Sequence, residues 1–362
     1  MAAFGASGAE APALSLLGDL KIPLWYEDVN VRGGFGYKDN VLLSSVSPQG
    51  SAFWTAGGDV LAYRLPTDGW QFSGFASFDN LGYFDRSTGV NNEQSAITMA
   101  QGTKDLGKGW KMGLGASYMF EHQVLDVSVT QTNQYTNTEV LGNSVVGHWF
   151  VRKDLKPYWV DADLSVMRQW LAAPLDSFLQ SGPRLTIGRS LNHGSDVTLS
   201  YQWLWVGFDT REQVTAAGYL EPGTSLRFQN QLVEMAWHQV WDENSHWHAV
   251  TRAGLNFNQD NGSGYFDFWQ YRLAEQVKYK GSTWEISALG RVDYYDFPVQ
   301  TVSATDPALR RKTMIGATLR AEKHFGKSWK VFAAYAYDRS LSNVTSDSYQ
   351  ANTTSVGVEY RF

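Results

Sequence analysis

From Ser355 to Phe362 the chain alternates polar and apolar side chains at every step. Val356, Val358, Tyr360 and Phe362 fall on one face, and Ser355, Gly357, Glu359 and Arg361 fall on the other. A period of two is the period of a β-strand whose two faces meet different surroundings. The same alternation recurs in segment after segment towards the N-terminus. Such strands bury one face in the core of a soluble sandwich or barrel, or turn it to lipid.

Several features separate these two outcomes. A helical membrane span needs a run of about 20 apolar residues, and the apolar runs here are only a few residues long. A transmembrane barrel, in contrast, hides its lipid face in alternation, with strands of roughly 9–11 residues and an even strand number. Sixteen segments fit that description. They begin near Val29, Phe53, Trp70, Ser95, Trp110, Val140, Tyr158, Ser181, Val197, Leu226, Trp247, Tyr265, Trp284, Arg310, Trp329 and Tyr349.

Linker lengths alternate as well. Thr67-Asp68-Gly69, Gly107-Lys108-Gly109, Asn192 to Ser195, Asn244-Ser245-His246, Gly281-Ser282-Thr283 and Gly326-Lys327-Ser328 are short turns. Asp126 to Thr138, Asp209 to Ser225, Pro298 to Leu309 and Leu341 to Ser348 are longer and rich in Asn, Thr, Ser and Asp. Short turns on one side and long loops on the other are the asymmetry of outer-membrane barrels, with the turns periplasmic and the loops extracellular. The chain is therefore read as all-β: a periplasmic tail or remnant of an export region over residues 1–28, then one closed antiparallel transmembrane barrel over 29–362, in the outer membrane of a Gram-negative-type bacterium.

Tryptophan usage supports this reading. The chain carries 15 Trp, 18 Tyr and 19 Phe with no Cys, and Trp70, Trp110, Trp247, Trp284 and Trp329 each directly follow a short turn. One Trp after a turn can anchor a soluble hairpin. Five in the same register predict an aromatic girdle at the inner membrane interface.

Facing follows from alternation. On the fifth segment Trp110, Met112, Leu114, Ala116, Tyr118 and Phe120 face lipid, opposite Lys111, Gly113, Ser117 and Glu121. Charges fall on the lumen face almost throughout. Glu275 departs, sharing a face with Tyr271, Leu273, Val277 and Tyr279, so a bulge or register slip is expected there.

Sixteen tilted strands enclose a lumen too wide for side chains to fill, and function is sought in its wall. Arg252, Arg272, Arg291 and Arg320 form an inward basic stripe on four successive strands, while Asp59, Asp79, Asp161 and Asp163 face inward elsewhere in the circle. Opposed walls would set up a transverse field favouring anions near the arginines. Alternatively, nearby Glu285, Asp293 and Glu322 simply pair with these arginines. Tyr63, Phe75, Trp159 and Tyr295 are candidate inward aromatics, for a sugar path or for packing under a loop. The alternating stretch Val124 to Val129 predicts extension of a strand above the membrane instead of a loop folded inward.

Other functions find little support. A net charge of −6 gives no general attraction to nucleic acid. His246 and His248 could form a metal pair, but no third ligand is evident, and no cofactor or metal is expected. No Ser/His/Asp arrangement or phosphate loop stands out, so no enzymatic activity is expected. The first residues lack the basic and apolar regions of an export signal, and Pro12 to Tyr26 reads as a periplasmic tail or short plug.

The opening strand, Val31 to Leu43, leads through Gly33, Gly34 and Gly36 into Tyr37-Lys38-Asp39-Asn40, a Tyr-x-Asp-Asn run behind glycines. This strand resembles the opening strand of the β-barrel porin families of bacterial outer membranes, some of whose members sit beside exopolysaccharide genes. The resemblance implies a barrel in contact with outer-membrane lipid and lipopolysaccharide. It also implies that Phe362 and Tyr360 act as the assembly signal read by the barrel-insertion machinery. Larger polysaccharide exporters resemble the chain in strand number but carry a helical-repeat region, and no such repeat precedes the barrel in this sequence. Two functions stay open: a porin-like channel for small polar or anionic solutes, and a barrel for exopolysaccharide or other polymer export working with a periplasmic partner.

Overall fold

Alternating sequences of this kind leave each strand's backbone donors and acceptors to be met by neighbours, and in lipid only a closed ring meets them all. The computed structural model, which describes residues 24–131, 137–242, 244–303 and 305–362, has that ring. Its strands are β1 (Trp25–Lys38), β2 (Ser51–Thr67), β3 (Trp70–Tyr83), β4 (Asn92–Gly107), β5 (Trp110–Asp126) and β6 (Asn137–Leu155). They continue with β7 (Tyr158–Leu171), β8 (Phe178–Ser190) and β9 (Asp196–Phe208). Two short strands, β10 (Gln213–Val214) and β11 (Leu220–Glu221), then pair with each other within a loop. The ring resumes with β12 (Arg227–Val240), β13 (Trp247–Asp260), β14 (Phe268–Lys280) and β15 (Trp284–Ser303). It ends with β16 (Asp306–Phe325), β17 (Trp329–Ser342) and β18 (Tyr349–Arg361).

The sixteen long strands follow one another in chain order, and β1 closes the ring on β18. That closure is antiparallel from Asn30 opposite Arg361 to Lys38 opposite Thr353. Strand β1 begins at Trp25, inside the stretch expected to be tail, and residues 1–23, with most of Pro12 to Tyr26, lie outside the described part. The short turns stand where the sequence places them. In the β2–β3 turn Asp68 and Gly69 have φ of 53° and 74°, the left-handed pair that closes a tight hairpin. One further short connection, Lys156-Pro157 between β6 and β7, carries no turn signature of that kind.

Two segments differ from the sequence expectation. Pro298 to Leu309, read as a loop, is mostly strand: β15 runs on to Ser303 and β16 starts at Asp306. The pair rises as a long hairpin, with register shifts between Asp296 and Ser303. Pro298 has no amide to give to a ladder, and such residues are tolerated beside irregularities of this kind.

Glu275 is the second. Pairing of β14 is continuous on both sides, with Glu275 opposite Thr251 and Gly290, so no bulge turns it inward. It stays on the outer face, midway between Tyr271 and Tyr279. That outer face is largely apolar at mid-height, where Phe35, Leu114, Leu164, Leu185, Leu273 and Val356 are exposed. The barrel is thus inside-out relative to a soluble protein, and lipid is the medium that suits it. A carboxylate at mid-depth is costly there, although less so than a basic side chain. We expect Glu275→Leu to stabilise the barrel by about 1–2 kcal/mol, read as a higher urea midpoint in lipid vesicles. A lower midpoint would mean that the carboxylate has a partner on the outer face.

Candidate functional site

The lumen wall is built by the inward residue of each alternating pair. All four arginines of the basic stripe lie on it, but their surroundings differ. Arg320 is held by Glu322 at 2.6 Å, lies 3.7 Å from Glu359 and stacks over Phe332 at 4.1 Å. Arg272 donates through Nε to Asp293 at 3.1 Å. Arg291 comes only within 3.8 Å of Asp338. Among the described residues Arg252 takes part in no ion pair or side-chain hydrogen bond.

The inward acids also have arginines beside them. Asp59 and Asp79 flank Arg32, which forks onto both Asp79 oxygens at 2.7 Å and pairs with Asp59. Ser77 donates to Asp59 at 2.6 Å. Asp161 lies opposite Arg152, and Asp163 lies opposite Arg184. Arg32 is a wall residue that sequence reasoning passes over, although the alternation of the first strand puts it on the lumen face with Asn30.

The candidate aromatics meet different surroundings. Tyr295 packs with Phe268 and Phe297 and accepts from Gln270 at 2.8 Å, all of them residues of β14 and β15. Trp159 carries Arg152 at 4.0 Å over its ring. Tyr63 and Phe75 share the lumen face of β2 and β3 with Asp59. His246 is tied to Asp242 at 2.9 Å, whereas His248 stacks on His238, so the two do not converge. Glu285, Glu322 and His324 bring three potential ligand atoms within 4.8 Å of one another. Lys278 at 2.5 Å from Glu285, and Arg320 and Lys330 beside Glu322, already balance those carboxylates.

At the turn end, Trp70, Trp110, Trp247, Trp284 and Trp329 open β3, β5, β13, β15 and β17 with their rings outward. Lys104, Lys153 and Lys323 lie 5.1, 4.8 and 5.4 Å over Trp70, Trp110 and Trp284. Tyr360 joins the ring by packing on Trp329 at 4.8 Å and on Phe362 at 4.9 Å. The Phe362 amide donates to Val29 O at 3.0 Å across the closure.

The loop end holds what the sequence did not reveal. Strand β5 does extend to Asp126, as expected, yet the tip beyond it reaches the opposite wall. Lys312 of β16 pairs with Asp126 and donates to Ser128 Oγ at 2.5 Å. Arg310 donates to Ser128 O at 3.0 Å and to Gln300 at 2.6 Å, and pairs with Asp347. Strands β5 and β16 stand seven places apart around the shorter arc of the ring, so the tip crosses the mouth. Its expected upright course is overridden by these distant partners, which local alternation does not encode.

More anchors come from other loops. Arg211 donates to Thr130 O and sits among Phe208, Phe228 and Phe266, with burial pulling its pKa down to about 10. Asn137 donates to Leu43 O at 2.6 Å, and Leu43 belongs to an apolar cluster with Val41, Phe53, Tyr83 and Tyr349. Arg310, Lys312 and Asp347 are at most 1% exposed. Breaking one member of such a buried pair leaves the other uncompensated, at a cost of about 3–5 kcal/mol.

No protein-family model matches the chain, and no curated protein matches it in sequence. Solved structures do match in shape. OccAB3 of Acinetobacter baumannii superposes with a TM-score of 0.50 at 10% identity, covering 94% of this chain and 100% of that one. The chain has a porin-type barrel fold. A BenF-like porin from Pseudomonas fluorescens Pf-5 gives 0.49 at 8% identity, covering 93% and 99%. A bacterial polysaccharide outer membrane secretin gives 0.44 at 11% identity, covering 93% and 97%. At these identities the shared property is the fold.

For this porin-type barrel we expect Lys312→Met to free the β5–β6 tip, seen as faster amide exchange and protease cutting after Asp126. The double variant Lys312→Met with Asp126→Leu removes both buried charges and should recover most of the protection. Unchanged protection in the single variant would show that the ion pair does not hold the tip.

Proposed function

We propose that the protein is an outer-membrane channel of porin type, passing small polar or anionic solutes by passive diffusion. The observation that carries this reading is the pairing of an apolar outer wall with an inner wall that is polar and charged along its length. A ring of sixteen strands encloses more space than such side chains fill. The mouth is narrowed by the β5–β6 tip, which would set the size of solute admitted. The inward arginines supply the preference for anions.

The outward tryptophans and their lysines then stand at the periplasmic membrane interface, where amphipathic rings and basic tips suit the headgroups. The apolar band meets lipid, and the loop end meets lipopolysaccharide. Phe362 and Tyr360 become the contact for the barrel-insertion machinery. Deleting Phe362 is expected to lower the amount of folded barrel in the outer membrane several-fold, and normal levels would remove that role. No enzymatic activity is assigned to this channel.

A latched mouth also suits a second reading, in which a periplasmic partner and a polymer in transit displace the tip for export. Single-channel conductance in a planar bilayer separates the two. A steady conductance is expected, with an anion preference that falls when Arg252, Arg272, Arg291 and Arg320 are all changed to alanine. A barrel that stays closed would overturn the diffusion reading in favour of export.

A further inference from the structure

The outer wall is not uniform, and at one place it is hollowed into a groove. Ala62, Gly74, Ala100, Ala116 and Gly147 stand opposite one another on β2 to β6, one small residue on each strand. Alternation puts them on the outer face with Trp70 and Trp110. The first four floor a groove of about 530 Å³ with Trp25, Phe72 and Leu114 along its side, a volume within the range of ligand pockets. Gly147 continues the line. A Cβ added at Gly74 would meet nothing closer than 3.7 Å, and one added at Gly147 nothing within 4 Å, so the floor is open.

The row also climbs. Gly74 is four places from the turn end of β3, Ala116 six from that of β5, and Gly147 eight from that of β6. Its low end is therefore at the short turns, on the periplasmic side, and its high end is nearer mid-membrane. With strands about 4.8 Å apart the five residues span about 19 Å. Half the hydrocarbon core of a bilayer is about 15 Å thick, so an inclined row of this length suits one acyl chain.

A cation stands at the low end. Arg64 lies opposite both Trp25 and Phe72 and holds its guanidinium 5.5 Å over the Phe72 ring. Among the described residues its side chain makes no hydrogen bond or ion pair, not even with Glu27 on the same face. Lys104, two places from Gly102 towards the turn, lies 5.1 Å over Trp70, which stacks on Phe72 at 5.8 Å. Lys104 also donates to Asp68 O at 2.6 Å. Two positive charges thus flank a stacked ring pair at the foot of an apolar groove. Lys323 is the contrast: it too lies over a girdle ring, Trp284, but Ile286 and Leu319 stand out from the wall above it.

We propose that this groove retains one phospholipid of the periplasmic leaflet, with its phosphate on Arg64, one acyl chain along the row from Ala62 to Gly147, and Lys104 adding to the attraction. A guanidinium without protein partners suits a phosphate, and a floor of small residues lets a chain come into close contact. The site lies on the outer wall, so it goes beyond the channel reading and holds whether or not the lumen conducts.

The test is native mass spectrometry of the refolded full-length barrel in detergent, titrated with dioleoyl phosphatidylglycerol and with dioleoylglycerol, which has the same chains and no phosphate. One tightly held phosphatidylglycerol per barrel is expected, with dioleoylglycerol held at least about fivefold more weakly. Arg64→Gln should weaken phosphatidylglycerol binding about fivefold, the effect of one basic side chain at a membrane surface. Gly74→Leu keeps every charge and should weaken it about fivefold by filling the floor. Lys323→Ala, on a strand four places round the ring from β2, should change it by no more than about twofold.

No lipid held above the nonspecific spread would overturn the site. So would equal retention of the two lipids, or an unaffected Gly74→Leu. Equal losses in Arg64→Gln and Lys323→Ala would also overturn it, as the mark of a girdle that draws headgroups all round. A dimer of barrels that Gly74→Leu breaks and lipid does not displace would give the groove to a second copy instead. Heat-modifiable gel migration confirms that each variant is folded.

Discussion

Everything in this molecule depends on the hydrogen-bonded seam between β1 and β18. In lipid an unpaired sheet edge has no solvent to satisfy it, so a sheet of this size is stable only when its first strand finds its last. The seam runs without a break from Asn30 opposite Arg361 to Lys38 opposite Thr353. Arg361 adds side-chain bonds to Asp28 and Tyr26 at 2.7 Å on its lumen side. Once the ring is closed, alternation has no freedom left: each strand must turn one face to lipid and the other to a shared interior.

That constraint explains why so much of the fold was legible. Every expected strand start falls inside an observed long strand or just ahead of one, because a period of two and a turn of a few residues are local properties. Trp70, Trp110, Trp247, Trp284 and Trp329 mark strand starts for the same reason, each being one step from its turn. Lys156-Pro157 escapes because neither residue advertises a hairpin. Pro298 reads as a loop breaker, whereas it rides in a strand beside a register shift.

The site was legible only in part. Facing tells which side chains enter the lumen, so the arginines and aspartates can be assigned to the inner wall from the period alone. Pairing does not follow from facing. Whether Arg272 meets Asp293, or Arg320 nears Glu359, depends on lateral register between strands, and Arg252 is distinguished by what its neighbours lack. The buried cluster at the mouth is invisible for a stronger reason. Its partners come from β5, from β16 and from the loop before β18, and no local pattern links them.

The contact between Lys312 and Asp126 spans 186 residues of chain. Neither partner has a place to dock until the walls carrying them stand across from each other. The narrowing of the mouth is therefore a cross-brace between walls that only the closed ring brings face to face, so its strength is a property of the whole ring and of no single hairpin.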